Sequence, residues 1–142
     1  MQGFWTGAPK RVYRKKKRLP EVVAGDPVLS EHEEQRNLVS WFRKTHRDVR
    51  IFAIPNGGAR GLAAGAKLKV EGVSPGVPDL YVPAWKMWIE MKRSTGGRID
   101  PAQKDWHEYL AGIGDTIIIG RGAEDAKEKI LRFIEMEKKC SP

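Results

Sequence analysis

One cysteine, Cys140, stands in 142 residues, third from the C-terminal end. A disulfide framework within one chain is thereby excluded, which fits a reducing compartment. Histidine is nearly as scarce: His32, His46 and His107 show no ligand spacing, and with one cysteine they argue against a structural zinc site. All three fall on expected helices and read as surface or boundary residues. No apolar run approaches the roughly 18 residues of a membrane span. The basic N-terminus has no apolar stretch behind it, so it does not read as a secretory signal. Two common catalytic signatures are missing, the G-x-x-x-x-G-K-[ST] phosphate loop and the G-x-S-x-G elbow.

What is present in excess is positive charge, and it is unevenly spread. The net charge is +8, yet Lys10, Arg11, Arg14, Lys15, Lys16, Lys17 and Arg18 carry seven positive charges in a stretch without an acid. The remainder is nearly balanced. Residues 1–28 therefore read as a basic, flexible arm rich in Gly, Pro and charge, suited to a polyanion such as nucleic acid. A solvated tail that aids solubility explains the same composition. Residues 29–142 read as one folded domain, large enough to bury roughly two-thirds of the surface of its unfolded chain.

Within that domain, Ser30 is a candidate N-cap with Glu33 at the third position after it, and Leu38, Trp41 and Phe42 recur at helical spacing to about His46. Val49–Ile54 alternates and is β-branched, a strand closed by the turn Asn56-Gly57-Gly58. An Ala-rich helix over 60–70 follows, then a loop with three breakers from Gly72 to Pro78. Asp79–Val82 and Lys86–Met91 form two strands joined tightly at Pro83-Ala84-Trp85. Asp100 and Pro101 open a helix that stops near Gly112 or Gly114. The continuous apolar run of Thr116–Ile119 resembles an interior strand, and 123–137 is a last helix with Ile130, Phe133 and Ile134 as its core stripe. The order predicts an α/β fold, a mixed sheet flanked by helices.

The chemistry concentrates in the hairpin. Side chains alternate along a strand, so Met87, Ile89 and Met91 face one way and Trp88, Glu90 and Lys92 the other. The turn position sets Asp79 opposite the far end of the second strand, where its carboxylate can meet Glu90 and Lys92. Two carboxylates suit a hard divalent cation, and an ammonium suits a phosphate or an attacking water. An amphipathic hairpin with one wet, charged face has the same pattern. A third acid could come from Glu31 or Glu34 on the first helix, between which spacing does not decide; both also complement a helix dipole. Gln103 and Lys104, with Arg93 and Arg98, surround the same loop and can approach phosphate. Trp85 and Trp88 are either exposed aromatics or core.

Together, Asp79, Glu90-x-Lys92 and the element order resemble the PD-(D/E)xK nuclease superfamily, with its restriction-endonuclease-like core. Further motifs resemble its virus-type replication-repair nuclease branch, VRR-NUC: Glu31…Gln35…Trp41-Phe42, Asn56-Gly57-Gly58, Gly72…Gly76-Val77-Pro78-Asp79-Leu80, Ile89-Glu90-Met91-Lys92 and Pro101-x-Gln103-x-x-Trp106 before Gly112. The match spans about residues 30–121. The resemblance implies that Asp79, Glu90 and the Met91 carbonyl bind Mg²⁺ or Mn²⁺, with Glu31 as the helix-one acid. It implies that Lys92 orients or activates water and that Gln103 is an accessory polar residue. Small stand-alone members, from phage or bacteria, act as homodimers on branched DNA, including four-way junctions. The expectation is thus a metal-dependent, structure-selective DNA endonuclease, without a small-molecule cofactor or membrane partner, in a bacterial or phage-infected cytoplasm. A restriction-like or RNA-cutting nuclease, or a non-catalytic basic nucleic-acid-binding protein, remains as an alternative.

Overall fold

The computed structural model describes residues 28–55 and 62–141. The seven basic residues of the arm and the Asn56-Gly57-Gly58 turn lie outside the described residues. Helix α1 spans Glu31–Thr45 and starts where its chemistry dictates: the Ser30 hydroxyl accepts from the Glu33 N–H, and the Glu33 carboxylate accepts from the Ser30 N–H. It ends at His46, whose N–H still reaches the Phe42 carbonyl. Strand β1 is Phe52–Ala53, α2 is Leu62–Val70, and β2 is Leu80–Val82. A single 3-10 turn at Pro83–Trp85 leads into β3, Met87–Lys92. Helix α3 (Pro101–Gly112), strand β4 (Thr116–Arg121) and helix α4 (Ala123–Cys140) complete the chain.

The four strands lie in the order β1-β2-β3-β4. The first three are antiparallel neighbours, and β3 pairs with β4 in parallel. A parallel pair requires a crossover, and α3 supplies it. Helices α1 and α4 pack on one face of the sheet, where Leu38, Phe42, Ile51, Leu80, Val82, Met87, Ile89, Met91, Ile118 and Ile130 form the core. Each large apolar side chain fully buried there contributes about 1.5–3 kcal/mol. Trp85 belongs to this core, set against Phe42 and Phe133, and Trp88 stacks on Tyr81 with its indole N–H on Asp115. Packing, rather than exposure, accounts for both tryptophans.

Two strand expectations need correction. The strand expected over 49–54 is reduced to two paired residues, because the chain is still turning at Val49, whose N–H bonds to His46, and because β2 offers only a short edge. One further bond, from the Ile54 N–H to the Asp79 carbonyl at 2.8 Å, extends the pairing towards Asp79. The apolar run of β4 marks burial between two helices, α4 and α3, and not an interior strand: β4 is last in the sheet order among the described residues, and β2 and β3 are the inner strands.

Candidate active site

Register brings the hairpin residues together. Leu80 pairs with Ile89 and Tyr81 with Trp88, so Asp79, one residue before β2, falls opposite Glu90. The Asp79 carboxylate is fixed there: its Oδ2 accepts from the Met91 N–H at 2.7 Å. Glu90 and Lys92 share the face opposite Met87, Ile89 and Met91, as their alternation requires. What the sequence did not show is their depth. Glu90 is 1 % exposed and Lys92 6 % exposed, because α3 covers them.

A surface hairpin with a wet, charged face is therefore excluded. The Lys92 ammonium lies 3.1 Å from Glu90 Oε1. Gln103 ties the pair from above: its Nε2 donates to Glu90 Oε1 at 2.5 Å, and its Oε1 accepts from Lys92 Nζ at 3.1 Å. The same oxygen accepts from the Asp100 N–H, and Asp100 in turn accepts from the Gln103 N–H. This capping box locks the amide orientation, since the reversed amide would set its NH₂ against two donors and its oxygen against a carboxylate. A helix-start motif thus doubles as the clamp on a buried ion pair.

The loop before Asp79 packs against that clamp. Gly76 has φ +87°, and a Cβ there would lie 2.5 Å from the Ala102 carbonyl group and 2.8 Å from the Gln103 nitrogen. Only glycine meets both demands.

The electrostatics are those of a concentrated negative site. Burial raises Glu90 from 4.5 to about 7, and the Asp79 charge adds to the rise, against the pull of Lys92. Burial also raises Asp79, with a further push from Glu31, partly offset by the Met91 N–H and Lys92. Glu31 is thus near enough for its charge to act on both carboxylates. Glu34 has a different task. It is buried, and its Oε2 accepts from the Ala123 N–H at 2.7 Å, satisfying the first turn of α4.

No family model matches this chain, and no curated protein matches it. A solved structure described as a VRR_NUC domain protein superposes with a TM-score of 0.64 at 27 % sequence identity, covering 77 % of this chain and 91 % of that one. The fold is VRR-NUC-like. Its mixed sheet and flanking helices agree with the restriction-endonuclease-like core expected from the sequence.

In this VRR-NUC-like frame, the groups that could hold a metal are Asp79, Glu90 and the carbonyl of Met91, the residue between Glu90 and Lys92. Among the described residues no group of three or more His, Cys, Asp or Glu side chains is arranged to do so. The oxygen set nevertheless fits a small, hard cation that keeps several waters. The half-buried Asp79 and the buried Glu90 lie opposite each other across the hairpin, close enough for the Asp79 charge to act on Glu90, and Glu90 Oε2 is buried without a hydrogen-bond partner. Of the other residues expected near phosphate, Arg93 and Arg98 are exposed beside the site loop, whereas Lys104 pairs with Glu108 at 3.8 Å on the outer side of α3. Sequence reasoning missed His107. Its Nε2 lies 3.8 Å from Glu90 Oε2, and burial together with Lys92 holds its pKa below the usual imidazole value. Its position four residues after Gln103, on the same helical face, was the signal that could have found it.

Proposed function

We propose that the chain is a divalent-metal-dependent DNA endonuclease that hydrolyses phosphodiester bonds, prefers branched DNA such as four-way junctions, and acts as a homodimer. The observation that carries the chemistry is the meeting of Asp79, Glu90, Lys92 and Gln103 at one end of a hairpin in a VRR-NUC-like fold. Asp79, Glu90 and the Met91 carbonyl would hold Mg²⁺ or Mn²⁺, with Glu31 acting on the metal or its waters. When bound, the metal supplies Lewis-acid polarisation of a phosphoryl oxygen. Lys92 orients the attacking water and offsets charge that develops on the phosphate. Gln103 keeps Lys92 and Glu90 in register with each other.

The seven cations of residues 10–18, with Arg93 and Arg98 beside the site loop, give sequence-independent phosphate contacts. Two active sites related by a two-fold axis match two strands of a symmetric junction. The setting is replication or repair in a bacterial or phage-infected cytoplasm.

The test is cleavage of labelled duplex, single-stranded, flap and four-way-junction DNA in Mg²⁺, Mn²⁺ or EDTA. Metal-dependent cutting, fastest on the junction, is expected. Cutting of RNA alone, or binding in EDTA with no cutting of any substrate in either metal, would overturn the proposal.

A further inference from the structure

Glu90 is held by only one of its two carboxylate oxygens. Oε1 receives both the Gln103 amide and the Lys92 ammonium. Oε2 is buried without a hydrogen-bond partner. The group facing it is His107 Nε2, 3.8 Å away, on a side chain 11 % exposed. That nitrogen is also buried and without a partner. Two unsatisfied polar atoms rarely face each other across such a gap by accident, because each would separately find water or a protein partner. The gap exceeds a direct hydrogen bond but suits one shared water or a small rotation of either side chain.

Helix geometry makes the arrangement a continuation of the clamp already described. His107 follows Gln103 by four residues, so the two side chains stand one turn apart on the covered face of α3. Gln103 grips one oxygen, and His107 addresses the other. The geometry points to His107 as a positioning residue that sets the rotation of the Glu90 carboxylate, through its Nε2 and directly or by one water, for a divalent cation. This rests on the metal-dependent reading above. Outer-shell partners of this kind commonly contribute 10- to 100-fold to metal affinity. A histidine that only fills space between α3 and the sheet would contribute none.

The test is calorimetric Mn²⁺ binding to the full chain without DNA, for wild type, His107→Leu and His107→Gln, each checked for folding by thermal melting. Leucine keeps the apolar bulk and loses the polar nitrogen; glutamine keeps a polar group of similar reach. The inference predicts Mn²⁺ binding weakened at least 10-fold in His107→Leu and largely restored in His107→Gln. The same order should appear in the metal concentration giving half-maximal cleavage, while the single-turnover rate at saturating metal stays within about 3-fold, since only the metal ligand's placement is altered. Wild-type Mn²⁺ affinity in a folded His107→Leu protein overturns the inference and leaves the nuclease reading standing. Should His107→Leu fail to fold, His107→Met, which also keeps apolar bulk and lacks the ring nitrogen, takes its place: Mn²⁺ binding weakened 10-fold or more supports the role, and affinity within 3-fold of wild type overturns it. Failure of the wild type to bind Mn²⁺ overturns the metal-dependent reading and the inference together.

Discussion

Replacing Glu90 by glutamine should abolish cleavage and at the same time stabilise the metal-free protein. The carboxyl is 1 % exposed and its pKa is raised from 4.5 to about 7. A raised acid pKa means that the folded protein resists ionisation. Below pH 4.5 the group is protonated in both folded and unfolded chains and costs nothing. As pH rises through about 7 the unfolded chain is already ionised, and the folded chain must follow at a penalty. At 1.36 kcal/mol per unit, the full penalty above pH 8 is about 3 kcal/mol.

Glutamine preserves the shape and avoids that penalty. Its carbonyl can still accept from Gln103, and its NH₂ can face His107. For a domain of this size the gain is a rise in melting temperature of roughly 10 °C. The assay is thermal unfolding of both proteins in EDTA from pH 4 to 9. The difference should be near zero at pH 4.5, grow towards pH 7 and level off above pH 8. A Glu90→Gln protein that melts at or below the wild-type temperature at pH 8 would refute the argument that burial strains this site. Saturating Mg²⁺ should narrow the difference by stabilising only the wild type.

The two helix-one acids should separate cleanly. Glu34→Ala removes a buried charge-assisted bond to α4 and should cost about 2 kcal/mol in denaturant melts, whereas Glu31→Ala should slow cleavage with stability unchanged; the reverse pattern would exchange their roles. Gly76→Ala demands both a left-handed backbone and room that α3 occupies, so it should cost about 1–3 kcal/mol and lower the cleavage rate through the displaced Gln103. Wild-type melting and rate would show that the loop adapts freely. Removing residues 1–18 should weaken DNA binding and flatten its salt dependence, by close to one unit of log–log slope for each phosphate that the arm no longer neutralises. An unchanged slope means that the arm does not touch phosphate.

Much of the hairpin was legible because its rules are local. The turn at Pro83–Trp85 fixed the register, and alternation then placed Asp79, Glu90 and Lys92 at one point. The spacing of Ser30 and Glu33 announced the first capping box, whereas at α3 only the Asp100 cap was read and the return bond to the Gln103 side chain was missed. The short β1 was not legible, since its length depends on how much of β2 stands free to pair. The role of Glu34 depends on where α4 begins, an interaction across 89 positions of chain. His107 looked like a boundary histidine because one-dimensional spacing cannot show that α3 lies over β3. The burial of Glu90 was hidden for the same reason, and with it the raised pKa that gives the site its character.

The most direct measurement of the central claim is single-turnover cleavage of a four-way junction in Mg²⁺ by wild type, Asp79→Ala, Glu90→Gln and Lys92→Met, each verified as folded and as DNA-binding in EDTA. The account predicts cutting by the wild type, loss of at least about 10³-fold in every variant, and retained DNA affinity. Wild-type cutting by folded Asp79→Ala or Glu90→Gln would contradict it.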